Sequence, residues 1–391
     1  MQPELVLKTN PANLPKNPHR KDRMESVEDL SGASMAEIGV AVIGFGLAGR
    51  VFHCPFISAV PGLALRAIVQ RRGDEAAKAY PGVRILRSVD EAMAAEDVQL
   101  IVVATPNETH FALAKQALLA GKHAVLDKPF TATSAEAKEL AAIASERRLT
   151  LAPFHNRRWD GDFLTVRRVL ASGELGRLVN YESHFDRFRP LPREATWKES
   201  SSSAHGMLMD LGPHLVDQAL VLFGAPLQIT ASVRRDRDTT DIEDAFAITL
   251  HYPGLLAHLR ATLLAAEPAP RFLLHGTRGS FRKYGVDPQE PALLQGASVP
   301  PMGDARTWLG EEPSHWGTLT TAPNPADPAQ LIRTPVRTEP GDYRSYYANV
   351  RDAINQKAAL AVTPEDGYRV IRLLELARES SQQGRTMQVA F

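Results

Sequence analysis

The run Ile38-Gly-Val-Ala-Val-Ile-Gly-Phe-Gly-Leu-Ala-Gly49 decides the fold. Its first six residues are apolar or small and read as a buried strand. Gly44, Gly46 and Gly49 follow in the G-x-G-x-x-G spacing, and a helix-compatible stretch begins at Leu47. Three glycines near a strand occur by chance, so the context carries the reading: a strand before, a helix after, and the start of a β-α-β unit. There Gly44 permits the tight turn, Gly46 lets the backbone approach a pyrophosphate, and Gly49 allows close helix–strand packing. With Phe45, Leu47 and Ala48 they form a loop that cradles a dinucleotide, the helix N-terminus facing its phosphates.

Working outward, short apolar strands alternate with helices. "LALRAIVQRR" is a strand, "SVDEAMAAE" a short helix, "VQLIVVATP" a strand, and "THFALAKQALLAG" a helix ended by Gly121. "HAVLDKP" is the next strand. A helix with the capping box Thr133/Glu136 runs to about Arg148, and "LTLAPFHN" closes the series. This order predicts an α/β fold, with a doubly wound parallel (Rossmann) sheet over residues 37–157. Residues 158–391 read as an α+β domain with a large, mostly antiparallel sheet. Its strands are "RLVNYESHFDRF", "LQITASVRRD", "AFAITLHYP", "LLAHLRATLLA" and "RFLLHGTRGSFRKYG", and its helices include "DFLTVRRVLASGEL" and "PHLVDQALVLFG". The proline-rich stretch 286–340, with Trp308 and Trp316, reads as an excursion over a surface. The last helix starts at Thr363 with Pro364 in its first turn.

The end of the second strand selects the dinucleotide. An NAD site usually has an acid there, on the ribose 2′-hydroxyl. Here Gln70, Arg71 and Arg72 stand at that point, with Asp74 and Glu75 only after the turn. Two guanidiniums suit a 2′-phosphate, which predicts NADP over NAD; the bland alternative is a solvated arginine pair. The strand ending "ATPNETH" places Thr105, Pro106, Asn107 and His110 at the crevice, for the nicotinamide ribose or for capping the next helix.

Bulk composition narrows the class. Of 391 residues, 44% are hydrophobic and 23% charged, as in soluble globular chains. Lys+Arg and Asp+Glu both number 45, which argues against bulk attraction to nucleic acid or an anionic membrane. The single cysteine, Cys54, excludes an internal disulfide and a multi-cysteine metal site and fits a reducing, cytoplasmic setting. No metal is expected, and no stretch is apolar enough to span a bilayer. Residues 1–36 are polar and proline-rich; they read as a disordered tail or an over-long start assignment, with Met24 and Met35 as other starts.

"AVLDKPF", residues 124–130, ends a buried strand in an acid, a base and a proline. Alone it is a surface ion pair beside a turn, which contributes little. Together "GFGLAG", "ATPNETH", "DKPF" and "DLGPH", in this order and spacing, resemble the Gfo/Idh/MocA oxidoreductase family from about Ile38 to the C-terminus. "FHNRRWDGDF", "YESHFDRFRP" and "HGTRGSFRKYG" are similar to its NADP-dependent scyllo-inositol dehydrogenase group. The resemblance implies that Lys128 is a catalytic lysine beside the nicotinamide, and that Pro129 matches a family proline often preceded by a cis peptide. Asp127 replaces the family's glutamate, one methylene shorter, and is expected on the nicotinamide ribose. Asp210 and His214 match the family's acid-x-x-x-histidine motif. Their four-residue spacing puts both on one helix face, and Pro213 suits that helix's first turn. Oxidising a secondary alcohol needs a base for the hydroxyl proton as hydride leaves carbon. A histidine fills that role at neutral pH, and an adjacent ammonium favours its neutral form.

Substrate contacts are expected from "HNRRWDGD", which enters the crevice after the last strand of the first sheet. It offers His155, Asn156, Arg158, Trp159 and Asp160 to a hydroxyl-rich ring. His184, Asp186 and Arg189 in "SHFDRFRP" reach in from the second sheet, and His205 in "SSSSAHG", residues 200–206, is an extra contact. Any of these can equally be a structural hydrogen bonder. The expected activity is hydride transfer between NADP(H) and a cyclic polyol or sugar, an inositol first. The alternatives are an NAD-dependent glycosidase of the same fold and a non-catalytic NADP(H) sensor. A homodimer through the second sheet is the expected assembly.

Overall fold

The computed structural model describes residues 37–192, 205–238, 240–303, 308–324, 326–327 and 329–391. The polar tail 1–36 and Ser200 to Ala204 of the serine-rich loop lie outside these residues. Among them, two sheets organise the chain. The first has strands β1 (Ile38–Ile43), β2 (Leu63–Val69), β3 (Arg84–Leu86), β4 (Leu100–Val103), β5 (His123–Leu126) and β6 (Leu151–Pro153). Their order is β3-β2-β1-β4-β5-β6 and every pairing is parallel. The order reverses between β1 and β4, and the crevice at the strands' carboxyl ends lies at that switch point. The crossovers carry helices α1 (Cys54–Ala59), α2 (Glu75–Ala79), α3 (Val89–Ala94), α4 (His110–Leu119) and α5 (Ser134–Glu146). The Thr133 side chain caps α5 by accepting from the Glu136 amide, while Glu136 reaches back to the Thr133 amide.

The second sheet has strands β7 (Leu178–Asp186), β8 (Gln228–Arg234), β9 (Ala245–Tyr252), β10 (Leu255–Thr262), β11 (Phe272–Gly276), β12 (Gly279–Lys283), β13 (Gly317–Thr321), β14 (Ile332–Val336) and β15 (Met387–Gln388). Its order is β14-β13-β12-β11-β7-β10-β9-β8-β15, antiparallel except for the parallel pair β7–β10. Five further helices are α6 (Gly161–Ser172), α7 (Met207–Phe223), α8 (Gln289–Leu294), α9 (Arg344–Ile354) and α10 (Pro364–Gln383).

Four readings of the sequence change. "RFLLHGTRGSFRKYG" is the hairpin β11–β12, turning at Thr277 and Arg278, rather than one strand. Gly276 sits at a register shift where a Cβ would come 2.2 Å from the Leu175 carbonyl oxygen. The stretch 286–340 supplies α8 and two sheet strands, β13 and β14; prolines around them masked the alternation. The three-residue edge strand β3 is too short to show a period. Helix α7 begins at Met207, so Pro213 is its seventh residue rather than a first-turn residue. There it cannot donate to the Met209 carbonyl.

The core is continuous between the sheets. One apolar cluster joins Ile43, Val103, Phe130 and Leu140 of the first layer to Leu208, Leu215, Tyr181, Phe272 and Leu374 of the second. Another covers the opposite face of the first sheet, where Val42, Ile57, Val102 and Phe154 meet Tyr343, Tyr346 and Tyr347 of the C-terminal segment. Helix α10 passes so close to the first sheet that a Cβ on Gly367 would lie 2.6 Å from Phe130 Cδ1 and 2.7 Å from Pro153 Cγ. Both are ring atoms with little room to yield. The overpacking cost of about 1–3 kcal/mol then exceeds the ~1 kcal/mol helix gain from replacing glycine. Gly367→Ala is expected to lower the unfolding free energy by about 1 kcal/mol in urea denaturation; unchanged or raised stability would contradict this close seating of α10.

Candidate active site

A cavity of about 1060 Å³ opens between the carboxyl edge of the first sheet and the layer formed by α7 and the second sheet. The glycine loop forms one end. Gly44 has φ of 100°, and a Cβ there would meet the Ala104 carbonyl oxygen at 2.5 Å. A Cβ on Gly49 would meet the Gly44 carbonyl oxygen at 2.1 Å, which explains its burial against the loop. Gly46 is different: a Cβ there would meet nothing within 4 Å. Among the described residues, protein packing gives no reason for that glycine. The open space faces the cavity, where a pyrophosphate would approach the backbone, so the loop fits the dinucleotide inferred from its spacing. Phe45, Gly46, Leu47 and Ala48 line the wall, as do Thr105, Pro106 and Asn107 beyond β4.

At the end of β2, Gln70 and Arg71 line the cavity, while Arg72 is exposed and lies outside the lining. The nearby acids are engaged. Asp74 pairs with Lys78 at 3.1 Å, and Glu75 accepts a hydrogen bond from Gln70 Nε2. Arg87 braces the turn by donating to the carbonyls of Gln70 at 2.9 Å and Gly73 at 2.8 Å. His110 departs from expectation. It is buried, with Nδ1 2.8 Å from the Pro129 carbonyl oxygen and Nε2 3.0 Å from that of Thr105. It therefore ties the exits of β4 and β5 together behind the wall and does not line the cavity.

Asp127 and Lys128 stand where β5 ends, and the Lys128–Pro129 peptide is cis. Lys128 Nζ donates to the Asp210 carbonyl oxygen and to Asp210 Oδ1, both at 2.7 Å. An ammonium has three donors, so among the described residues one is left over, at the cavity wall. Asp210 lies in the first turn of α7, with His214 one turn on, and all three residues line the cavity. His214 is 5% exposed, and its ring stands edge-on to Phe185 at 6.4 Å between centroids. Burial holds the His214 imidazole well below its usual titration range, reinforced by the cations Arg157 and Lys128 and by neighbouring His155, and only partly opposed by Asp210. It is a neutral ring at neutral pH. For Asp127 burial works to raise the pKa, but His53, Lys128 and His110 outweigh it and hold the carboxyl below its usual value.

The expected substrate contacts divide sharply. In the 3-10 turn Asn156–Trp159, Asn156 and Arg157 line the cavity and Arg158 does not. Arg158 makes a bidentate pair with Asp217, at 2.9 and 2.6 Å, and donates to the Ala361 carbonyl at 2.5 Å. It thereby fastens α7 to the segment entering α10. Trp159 packs edge-on against Tyr346, and Asp160 accepts from the Tyr343 hydroxyl at 2.6 Å. His155 is buried behind the wall. On β7 the strand alternation turns Ser183 and Phe185 inward, while His184 pairs with Glu182 at 3.2 Å and Asp186 accepts from the Ala269 amide at 3.1 Å, both away from the lining. His205 lines the cavity, with Nε2 2.7 Å from Glu108.

Several wall residues escaped the sequence reading: Arg157, Arg187, Arg237 and Glu290. Continuing the inward phase of Tyr181, Ser183 and Phe185 points to Arg187 and Arg189, so a signal existed for them. Nothing in the sequence separates Arg157 from Arg158. Arg157 donates to Asp160 at 3.2 Å and to Glu290, and its guanidinium lies 5.0 Å from the Phe185 ring centroid. Among the described residues no helix is long and apolar enough to cross a membrane.

Comparison with known proteins identifies the fold and the family. Residues 38–155 match the model of the oxidoreductase family NAD-binding Rossmann fold, and residues 167–389 that of the family's C-terminal alpha/beta domain. The uncharacterized oxidoreductase YdgJ of Escherichia coli is 40% identical over 354 residues, covering 90% of this chain and 99% of the relative. The scyllo-inositol 2-dehydrogenase (NADP(+)) IolW of Bacillus subtilis is 36% identical over 350 residues, covering 90% and 95%. The solved structure of YPO2259 from Yersinia pestis superposes with a TM-score of 0.84 at 39% identity, covering 91% and 98%. With both of its domain models matched in order along one chain, over the parallel sheet with its glycine loop and the larger sheet that follows, this chain belongs to the Gfo/Idh/MocA family of nucleotide-dependent oxidoreductases.

Proposed function

We propose that the chain is a dehydrogenase or reductase that moves hydride between NADP(H) and a secondary alcohol or ketone of a cyclic polyol or sugar, with scyllo-inositol and its inosose as first candidates. The observation that carries this reading is one cluster: Lys128 Nζ 2.7 Å from Asp210 Oδ1, with buried His214 one helical turn further on, in the cavity that also takes in the glycine loop. A relative named for NADP-dependent scyllo-inositol oxidation supports the substrate class and the cofactor. Arg71 at the wall supports NADP further, because the acids that follow it are engaged with Lys78 and Gln70.

The bound dinucleotide supplies the hydride acceptor or donor at its nicotinamide ring. The chain's own residues manage the proton and the charge. His214, neutral because it is buried among positive groups, takes the hydroxyl proton as the carbonyl forms and returns it in the reverse direction. The remaining donor of Lys128 lies toward the oxygen on which negative charge develops, and Asp210 fixes the ammonium from the other side. Asp127, at the strand end, is the acceptor for the nicotinamide ribose hydroxyls.

The direct test is purified protein with NADP or NADPH and a panel of inositols, inososes, sugars and sugar lactones, followed at the nicotinamide absorbance. Turnover of at least one ring polyol or its ketone is expected; tight NADPH binding with no turnover of any member would overturn the dehydrogenase reading. Lys128→Ala should lower kcat by about 100-fold or more while NADPH binding stays within about twofold. Retained turnover would remove Lys128 from its assigned role.

Arg71→Ala should weaken NADP by about tenfold or more, the range of a charge-assisted hydrogen bond, and leave NAD nearly unchanged. An equal loss for both dinucleotides would remove the 2′-phosphate assignment.

The His214 shift fixes a sign in the pH profile. Its folded pKa lies below the ordinary 6.5, so acidification through 6.5 protonates the imidazole in the unfolded chain before the folded one. Two results are expected: kcat/KM for alcohol oxidation loses no activity to His214 protonation from neutral pH down to 6.5, and the buried ring costs stability as pH falls below that value. An acid limb centred above 6.5 that vanishes in His214→Asn would contradict the assignment.

A further inference from the structure

The helix after the glycine loop is irregular where it passes beneath the first sheet's carboxyl edge. Gly49–His53 forms a π-helical turn, in which the Cys54 amide bonds to the Gly49 carbonyl five residues back before α1 resumes. Such a turn inserts one residue into the helical register and re-aims the side chains that follow. The residue re-aimed here is His53. It is fully buried, its ring centroid lies 4.4 Å from that of Phe154, and its Nδ1 lies 2.6 Å from the Tyr347 hydroxyl. Its other nitrogen, Nε2, has no hydrogen-bond partner among the described residues and stands 3.9 Å from Asp127 Oδ1.

The proton arrangement follows from these neighbours. Tyr347 is buried, and burial first and then nearby Tyr346, Cys54 and Asp127 push its phenol well above the ordinary range, so the hydroxyl keeps its proton. Of the two tautomers, the one in which that hydroxyl donates to Nδ1 puts the imidazole proton on Nε2, toward the carboxylate, whereas the other would turn a ring lone pair toward it; the first is the favoured arrangement. Asp127 needs such a neighbour. Its Oδ1 accepts from the Lys128 amide at 2.7 Å, a local bond that folds the short side chain back along its own strand. The terminal torsion of an aspartate is otherwise broad, and one anchor does not fix where the second oxygen points. A buried N–H dipole on the far side of Oδ1 does. At 3.9 Å the contact is charge–dipole attraction rather than a hydrogen bond, and in a water-poor setting that attraction is stronger than at a surface.

We propose that His53, oriented by Tyr347 and aimed by the π-helical turn, is a positioning residue that sets the Asp127 carboxylate so that its outer oxygen faces the dinucleotide. The inference rests on the reading of the cavity as a dinucleotide site, but not on any substrate. If NADPH binds and no polyol or sugar turns over, the dehydrogenase reading fails and this one stands.

The test is a double-mutant cycle on NADPH binding, read from nicotinamide fluorescence without substrate. The proteins are wild type, His53→Phe, Asp127→Asn and the double variant. Each single change is expected to weaken NADPH by about tenfold, about 1.4 kcal/mol. The double variant is expected to bind no more weakly than Asp127→Asn alone, because His53 acts only through that carboxylate. A purely structural His53 would instead carry its full loss into the Asp127→Asn background, and that outcome overturns the proposal. So does a dissociation constant within about twofold of wild type for either single variant. If His53→Phe does not fold, Tyr347→Phe takes its place in the same cycle, since it keeps the ring in the core and removes only the hydroxyl that orients His53. A Tyr347→Phe loss that disappears in the Asp127→Asn background supports the assignment, and one that persists, or no loss at all, overturns it.

Discussion

The bond pair from Lys128 Nζ to Asp210, 2.7 Å to the carbonyl and 2.7 Å to the carboxylate, is the contact on which the site depends. One partner ends a strand of the first sheet; the other opens a helix that lies on the second. The contact is partly open to solvent, with side chains 20% and 34% exposed, so its contribution to stability is modest. Its value is positional. The ammonium is fixed by two acceptors, and the same helix carries His214 one turn on, so a single contact relates the cation and the buried imidazole. The heavier fastening is done elsewhere. Arg158 forks onto Asp217, and breaking such a buried pair costs about 3–5 kcal/mol.

Two histidines show how burial divides labour around this contact. His214 sits in the wall among cations and stays neutral, which suits it to accept a proton. His110 is equally enclosed but lies against two backbone carbonyls, where it joins strand ends. Residue type and proximity to a motif do not separate these roles. The partner atoms do.

The legibility of the sequence follows the same line. Features whose cause is local were readable: the glycine spacing, the alternation of short strands with helices, the Thr133 capping box, and the order of the motifs. Features whose cause is a distant partner were not. Arg157 and Arg158 are adjacent and chemically identical, and only the 3-10 turn and the position of Asp217 on α7 decide which one faces the cavity. The prolines of 286–340 suggested an excursion, yet β13 and β14 pair there because β12 offers an edge. His184 and Asp186 looked like substrate ligands because they are polar and near the motif. The pleat of β7 turns them outward; just past its end Arg189, expected alongside them, does line the cavity, and Arg187, not expected, joins it.

The second face of the first sheet is covered by Tyr343, Tyr346 and Tyr347, residues near the end of the chain. This fixes an order of maturation during synthesis. When the ribosome has made the six parallel strands, their apolar underside has α1 but still lacks its tyrosine cover, and it stays partly open while every strand of the second sheet except β15 is translated. The nucleotide-binding half is thus first in sequence and last to be sealed, so the nascent chain has to be shielded from aggregation until its final helices emerge.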